Sequence, residues 1–151
     1  MFKLSRKGWN NVIIVVVLIV ITLLHRLEQA QQENSAKRAR PLLPESAVVL
    51  TWQGPSWQIE RIGQGWRSAP DLGLGSAQLA ARIEAWQGWL LPPGEPVRGT
   101  PVTLKIWIVG QSDPVEVGLY QDDGKFAALL PSSTWLSLSQ AQYRDLMRPI
   151  P

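Results

Sequence analysis

The sequence predicts an α+β protein: an N-terminal transmembrane helix, then a small antiparallel-sheet domain in the order ββαβββα with its helices on one face. Three observations carry that expectation. Val12–Leu24 reads VIIVVVLIVITLL, an apolar run directly behind a basic tail with Lys3, Arg6 and Lys7. In the second half, Val102, Leu104, Ile106 and Ile108 alternate with polar neighbours, as do Val115, Val117 and Leu119, the period of a strand with one buried side. Between the strands, Leu79, Ile83, Trp86 and Leu90 recur at the spacing of one helix face.

The elements follow in order. The apolar run has 13 residues, whereas a membrane-spanning helix needs about 20. Extending it from Trp9 to Leu27 gives 19 residues. The added positions suit a membrane boundary: Trp9 is an interfacial residue, Asn10 and Asn11 lie at headgroup depth, and Arg26 can snorkel. A cleaved signal peptide shares the basic start and apolar length. Its cleavage site needs small residues at alternate positions, and here Ala30 follows Glu28. The expectation is therefore an uncleaved anchor over 9–27 marked by Trp9, Val12, Leu24 and Arg26, with the bilayer as its partner. Residues 1–8 would stay in the cytoplasm and 45–151 would lie outside, in the periplasm of a bacterium.

His25–Arg40 is polar and rich in helix formers, so the helix is expected to run on until Pro41 and Pro44 stop it. Residues 28–44 thus read as a helical extension and linker. Ala47–Trp52 and Trp57–Ile62 are short β-prone runs separated by the turn signal QGPS, with Gly63, Gly65 and Trp66 after them. Ser76 is a plausible N-cap for a helix over Ala77–Leu91, and Pro92, Pro93 and Gly94 end it. Val102–Val109 is the strongest strand. Gln111–Pro114 turns into Val115–Tyr120, and Asp123-Gly124 suits a tight hairpin into Lys125–Leu130. Ser139 with Gln142 forms a capping-box pattern for a last helix through Met147.

The series VVLTW, WQIERIGQGWRSAP, AARIEAWQGWL, VTLKIWIVG and VEVGLYQDDGKFAALL, with Arg61, Gly63 and Trp66 as an R-x-G-x-x-W phrase, resembles a family of functionally uncharacterised domains. Those domains occur on the extracytoplasmic side of membrane-anchored bacterial proteins, some beside ABC-transporter components of the gliding-motility type. The resemblance spans about residues 46–148. It implies an extracytoplasmic domain and supplies no catalytic residue.

Charge and composition narrow the chemistry. The whole chain carries a net +3, but the surplus is local. Residues 1–40 hold seven Lys/Arg against two Asp/Glu, and residues 41–151 hold eight against ten. The basic excess belongs to the anchor and its flanks, so no nucleic-acid partner is expected. His25 at the membrane boundary is the single histidine and there is no cysteine, so zinc sites and His-based nucleophile systems are not expected in the domain. No cofactor, metal or enzymatic activity is predicted. Asp122-Asp123-Gly124 reads as a hairpin turn rather than a metal loop, because Lys125 follows at once. Glu60 and Glu84 read as surface acids rather than a hydrolytic pair.

Tryptophan is the compositional oddity. Seven of the eight lie beyond residue 50, and Trp52, Trp57, Trp66 and Trp86 are expected in the core. Trp107 shares a strand side with Thr103 and Lys105, opposite the aliphatic side, and Tyr120 has the same outward parity in the next strand. Trp107, Tyr120 and Lys105 are therefore the candidate partner-binding residues. The function class these features favour is an anchored, non-catalytic subunit that binds a protein of an envelope complex. A pilin-like subunit is the alternative: Arg6-Lys7-Gly8-Trp9 resembles a prepilin cleavage site, although Ile13 stands where pilins carry an acid and Pro41 breaks the stem. A glycan-binding or carboxylate-driven envelope enzyme ranks third. The sequence leaves the homo-oligomeric state open.

Overall fold

A computed structural model describes residues 6–36 and 38–149. Lys3 of the basic tail and Lys37 of the expected linker lie outside those residues. The chain divides into two compact units, Met1–Arg38 and Ala39–Pro151.

The first unit is helix α1, Arg6–Ala36. At 1.5 Å per residue its length is about 46 Å. The stretch Asn11–Gln29 is 19 residues long with a mean hydropathy of 2.2, and none of it is buried. This is long and apolar enough to cross a membrane, and it lies two residues further on than the expected 9–27. Trp9, Val12, Leu24 and Arg26 are all exposed on it. Thr22 fits the apolar run because its hydroxyl donates to the Leu18 carbonyl at 2.7 Å, within the helix itself.

The second unit contains β1 Val49–Gln53, β2 Gln58–Ile62, β3 Gly65–Ala69, α2 Ser76–Gly88, β4 Val102–Ile108, β5 Val115–Asp122, β6 Lys125–Leu129, β7 Trp135–Leu138 and α3 Gln140–Met147. The class is α+β as expected, but the order is βββαββββα, with seven strands rather than five. The strands lie side by side as β3-β2-β1-β4-β5-β6-β7, and every neighbouring pair is antiparallel. Two meanders are thus joined by α2, which crosses the sheet and delivers β4 beside β1. The two strands absent from the expected order are the last in each meander. β3 follows the tight turn Gly63-Gln64, where Gly63 has φ 60°, and contains neither Val, Ile nor Leu. β7 is only WLSL, between Pro131-Ser132-Ser133 and the cap of α3.

Both helices pack on one face of the sheet. Trp52 of β1, Ile59 of β2, Leu104 and Ile106 of β4, Val117 and Leu119 of β5, and Leu136 of β7 meet Leu79, Ile83 and Trp86 of α2 and Leu146 of α3. Fully burying each large apolar side chain contributes about 1.5–3 kcal/mol before conformational entropy is counted. Trp86 is the hub. Its ring centroid lies 4.9 Å from that of Trp52 and 5.5 Å from that of Trp57, both tilted. Helix α3 satisfies two of the three indoles: Trp86 Nε1 donates to Asp145 Oδ2 at 2.6 Å and Trp57 Nε1 to the Met147 carbonyl at 3.0 Å. Trp52 Nε1 is buried without a hydrogen-bond partner, which costs about 1–3 kcal/mol. Asp145 also pairs with Arg82 of α2, so one carboxylate ties the two helices together. Gly54 makes the arrangement sterically feasible, because a Cβ there would stand 2.2 Å from the Trp57 ring. Tyr143 stacks beside Phe126 at 4.9 Å. Burial raises the Tyr143 phenol above its ordinary 10.0, so its stabilising effect is complete below that pH and is lost as pH rises through the raised value.

Three local expectations are corrected. Helix α2 ends at Gly88 and its cap Trp89 is extended, with ψ 122°. Leu90 is therefore not on the buried face but 65% exposed, and Leu91 is buried instead. The N-cap is Gly75 rather than Ser76, because the Ser76 hydroxyl is taken by the Trp66 N–H on the outer edge of β3 at 2.8 Å. Finally, Pro41–Pro44 is part of the folded unit rather than a linker. Leu42 and Leu43 are 3% and 2% exposed, and Arg40 exchanges both backbone hydrogen bonds with Leu91, at 2.8 and 2.9 Å.

Candidate functional site

The helices leave the other face of the sheet free, and that face carries the predicted binding residues. The pairings Arg67–Glu60, Glu60–Thr51, Thr51–Trp107, Lys105–Glu116, Thr103–Gly118, Tyr120–Ala127 and Leu129–Trp135 run across it. Trp107 and Tyr120 are half-buried and Lys105 is exposed, beside buried Leu104, Ile106, Ile108, Val117 and Leu119 on the opposite parity. The parity argument places all three on the helix-free face.

The register does not bring the two aromatics together. Thr103 lies opposite Gly118 and Lys105 opposite Glu116. Continued in both directions, that register puts Tyr120 opposite Pro101 and Trp107 opposite Pro114. Six residues of β4 then separate their levels, about 20 Å at the rise of a strand. Lys105 stands between them, its ammonium 3.6 Å from Glu116 Oε1. The face therefore has two aromatic centres.

Tyr120 is paired with Trp135 of β7, ring centroids 4.8 Å apart and tilted by 57°. The phenol ring lies over Gly118, where a Cβ would come within 3.1 Å of Tyr120 Cε2. Residue 118 must be small for the ring to lie along the strand. Beside it an open groove of about 640 Å³ is lined by Pro101, Thr103, Glu116, Tyr120, Leu129 and Pro131, among others. On the far side of Tyr120 the segment after α2 closes the sheet. The Gly94 N–H donates to the Trp135 carbonyl and the Ser137 N–H to the Pro92 carbonyl, each at 2.9 Å. This segment covers the outer edge of β7 and, with Tyr120 and Trp135, accounts for the burial of Ala127 on a face that carries no helix.

Trp107 lies at the other centre, among Val48, Leu50 and Val109. A bulge in β1 shifts the register between Val49, opposite Ile108, and Thr51, opposite Trp107. Leu50 is the extra residue, and it turns outward with 41% of its surface exposed. Neither Trp135 nor this aliphatic group was among the predicted site residues. Trp135 was hidden because β7 was not recognised as a strand. Leu50 was hidden because the bulge that turns it outward arises from the pairing of β1 with β4, which the sequence of β1 alone does not encode.

The acidic residues considered as candidates are not gathered into one site. Glu60 is paired with Arg67 across β2 and β3, and Glu84 is exposed on α2, on the opposite side of the sheet. The sheet therefore separates the two carboxylates considered as a hydrolytic pair. Asp122 pairs with Lys125 in the ladder, and Asp123 and Gly124 take φ 44° and 74°, a tight two-residue hairpin turn. Among the described residues no group of three or more His, Cys, Asp or Glu side chains is placed to hold a metal ion. Comparisons with protein-family models, with curated proteins and with solved structures gave no match to this chain.

Proposed function

We propose that the chain is a single-pass membrane protein whose extracytoplasmic domain is a non-catalytic binding module for another protein of an envelope complex. The observation that carries this reading is the helix-free sheet face, with the groove beside Tyr120 and the Tyr120–Trp135 pair toward its β7 end. A sheet face left open by its own helices, with a rigid aromatic pair and a polar margin of Thr103, Lys105 and Glu116, has the make-up of a protein-binding surface. Asp145, Glu60 and Glu116 are each engaged by a basic side chain, which also favours binding over carboxylate catalysis. The orientation follows from the basic residues ahead of the span, which hold the N-terminus in the cytoplasm. The resemblance to extracytoplasmic domains of membrane-anchored bacterial proteins agrees with that placement.

The test is site-specific photocrosslinking in intact cells with a photoreactive residue at Thr103 or Tyr120. A discrete adduct at these positions, absent at Glu84 on the opposite side of the sheet, is the expected result. No adduct at either position under conditions where the protein is abundant would remove the partner-binding reading.

A further inference from the structure

The corner around Trp107 has a chemistry the groove lacks. Among the described residues of the domain, five large apolar side chains are exposed, and four of them are Val48 at 47%, Leu50 at 41%, Ile62 at 49% and Val109 at 55%. The strand pairings bring these four to one place. The Val109 N–H donates to the Val48 carbonyl at 2.9 Å. Leu50 bulges beside Thr51, opposite Trp107. Thr51 faces Glu60, so Ile62, two residues on and of the same parity, reaches the level of the bulge. The result is an aliphatic corner with one half-buried indole, on the open side of β2, β1 and β4. A cluster of this kind on a domain in water marks a contact surface.

We infer that this corner seats on the surface of the bilayer that holds the chain, with Val48, Leu50, Ile62 and Val109 at the headgroup–acyl boundary and Trp107 among the headgroups. The inference rests on the membrane anchoring proposed above and is separate from the partner site at Tyr120. Three facts select the bilayer as the occupant. First, the tether is short: the apolar stretch ends at Gln29 and the folded unit begins at Ala39. Helix α1 accounts for the chain up to Ala36, a rise of only about 10 Å beyond Gln29. A domain held so close meets the bilayer at a high effective concentration, so a modest apolar area suffices. Second, contacts lead from the point where the chain joins the domain to the corner. Arg40 pairs with Leu91, just beyond α2, and Gln87, in the last turn of α2, donates its side-chain amide to the Ala47 carbonyl at 2.8 Å, next to Val48. Third, the corner is aliphatic with a single Trp. A bilayer asks for apolar area without directional partners and takes Trp at its interface, whereas protein sites centre on pockets and paired polar groups.

The absence of cysteine from the chain makes the test direct. Leu50→Cys, Val109→Cys and, as reference, Asp122→Cys at the opposite end of β5 are each labelled with an environment-sensitive fluorophore. The full-length chain is reconstituted into phosphatidylcholine–phosphatidylglycerol vesicles, and quenching is compared between nitroxide-bearing lipids and a soluble quencher. The expected result places the labels at 50 and 109 at a depth of about 5–10 Å, with the label at 122 in water. Labels at 50 and 109 as open to the soluble quencher as the one at 122 would overturn the inference. Shielding from both quenchers would also overturn it and would assign the corner to a second copy or another protein. Retention of the chain through an alkaline wash is scored in parallel. A retained chain with water-exposed labels defeats the seating alone, whereas a lost chain defeats the anchoring as well.

Discussion

The two faces of the sheet use the same residue type in opposite ways. On the helix-covered face Trp86 is fully buried between Trp52 and Trp57, and its N–H is spent on Asp145. On the open face Trp107 is half-buried among exposed aliphatics, and Trp135 leans against Tyr120. The covered face shows what holds a disulfide-free domain of this size together: large rings packed on each other, with two of the three indole N–H groups satisfied by helix α3. The open face shows what remains available for contact once that is done. If this division is right, substitutions on the covered face should cost stability, and substitutions on the open face should cost contacts.

The largest effect is expected from Trp86→Ala. It removes the ring shared by two aromatic contacts and leaves Asp145 without its indole donor, so a loss of about 3–5 kcal/mol is expected. Urea unfolding of a fragment covering 39–151 measures it. A loss below about 1 kcal/mol would mean that the three-ring cluster is not the centre of the core. Leu43→Ala comes next, at about 2–5 kcal/mol. Removing residues 39–44 from the fragment should be at least as damaging, whereas a true linker could be trimmed without effect. Asp145→Ala follows at about 1–3 kcal/mol, because the Trp86 N–H loses its acceptor and the α2–α3 tie to Arg82 is cut.

The difference between the faces also explains how much of this molecule was legible in its sequence. Alternation in Val102–Ile108 and Val115–Leu119 and the helical spacing of Leu79, Ile83 and Trp86 were readable because one side of each element packs into the core. The capping box was readable because it is local: Ser139 and Gln142 do bond reciprocally, at 2.9 and 3.1 Å. The failures share one cause, which is that tertiary contact overrode the local signal. Pro41–Pro44 has the composition of a linker, yet Leu42 and Leu43 find the core. Gly65–Ala69 lacks a strand pattern, yet it pairs along its whole length with β2 and has an edge N–H capped by Ser76. At the candidate site, the outward parity of Lys105, Trp107 and Tyr120 was readable. Their separation depends on a cross-strand register that no single strand encodes.

The smallest expected stability effect is also the sharpest test of the comparison. Trp107→Ala on the open face should lower the stability of the 39–151 fragment by about 1 kcal/mol or less, because the ring is only half-buried and no buried polar group depends on it. Area alone would predict more for so large a side chain, so the result discriminates. A loss of several kcal/mol would place Trp107 in a second core and leave the open face with a structural rather than a contact role. A small loss in the fragment, combined with a changed position of the corner in full-length reconstituted protein, would assign the ring to contact with something outside the domain. The same substitution read in the two settings therefore separates what the sheet needs to fold from what it presents once folded.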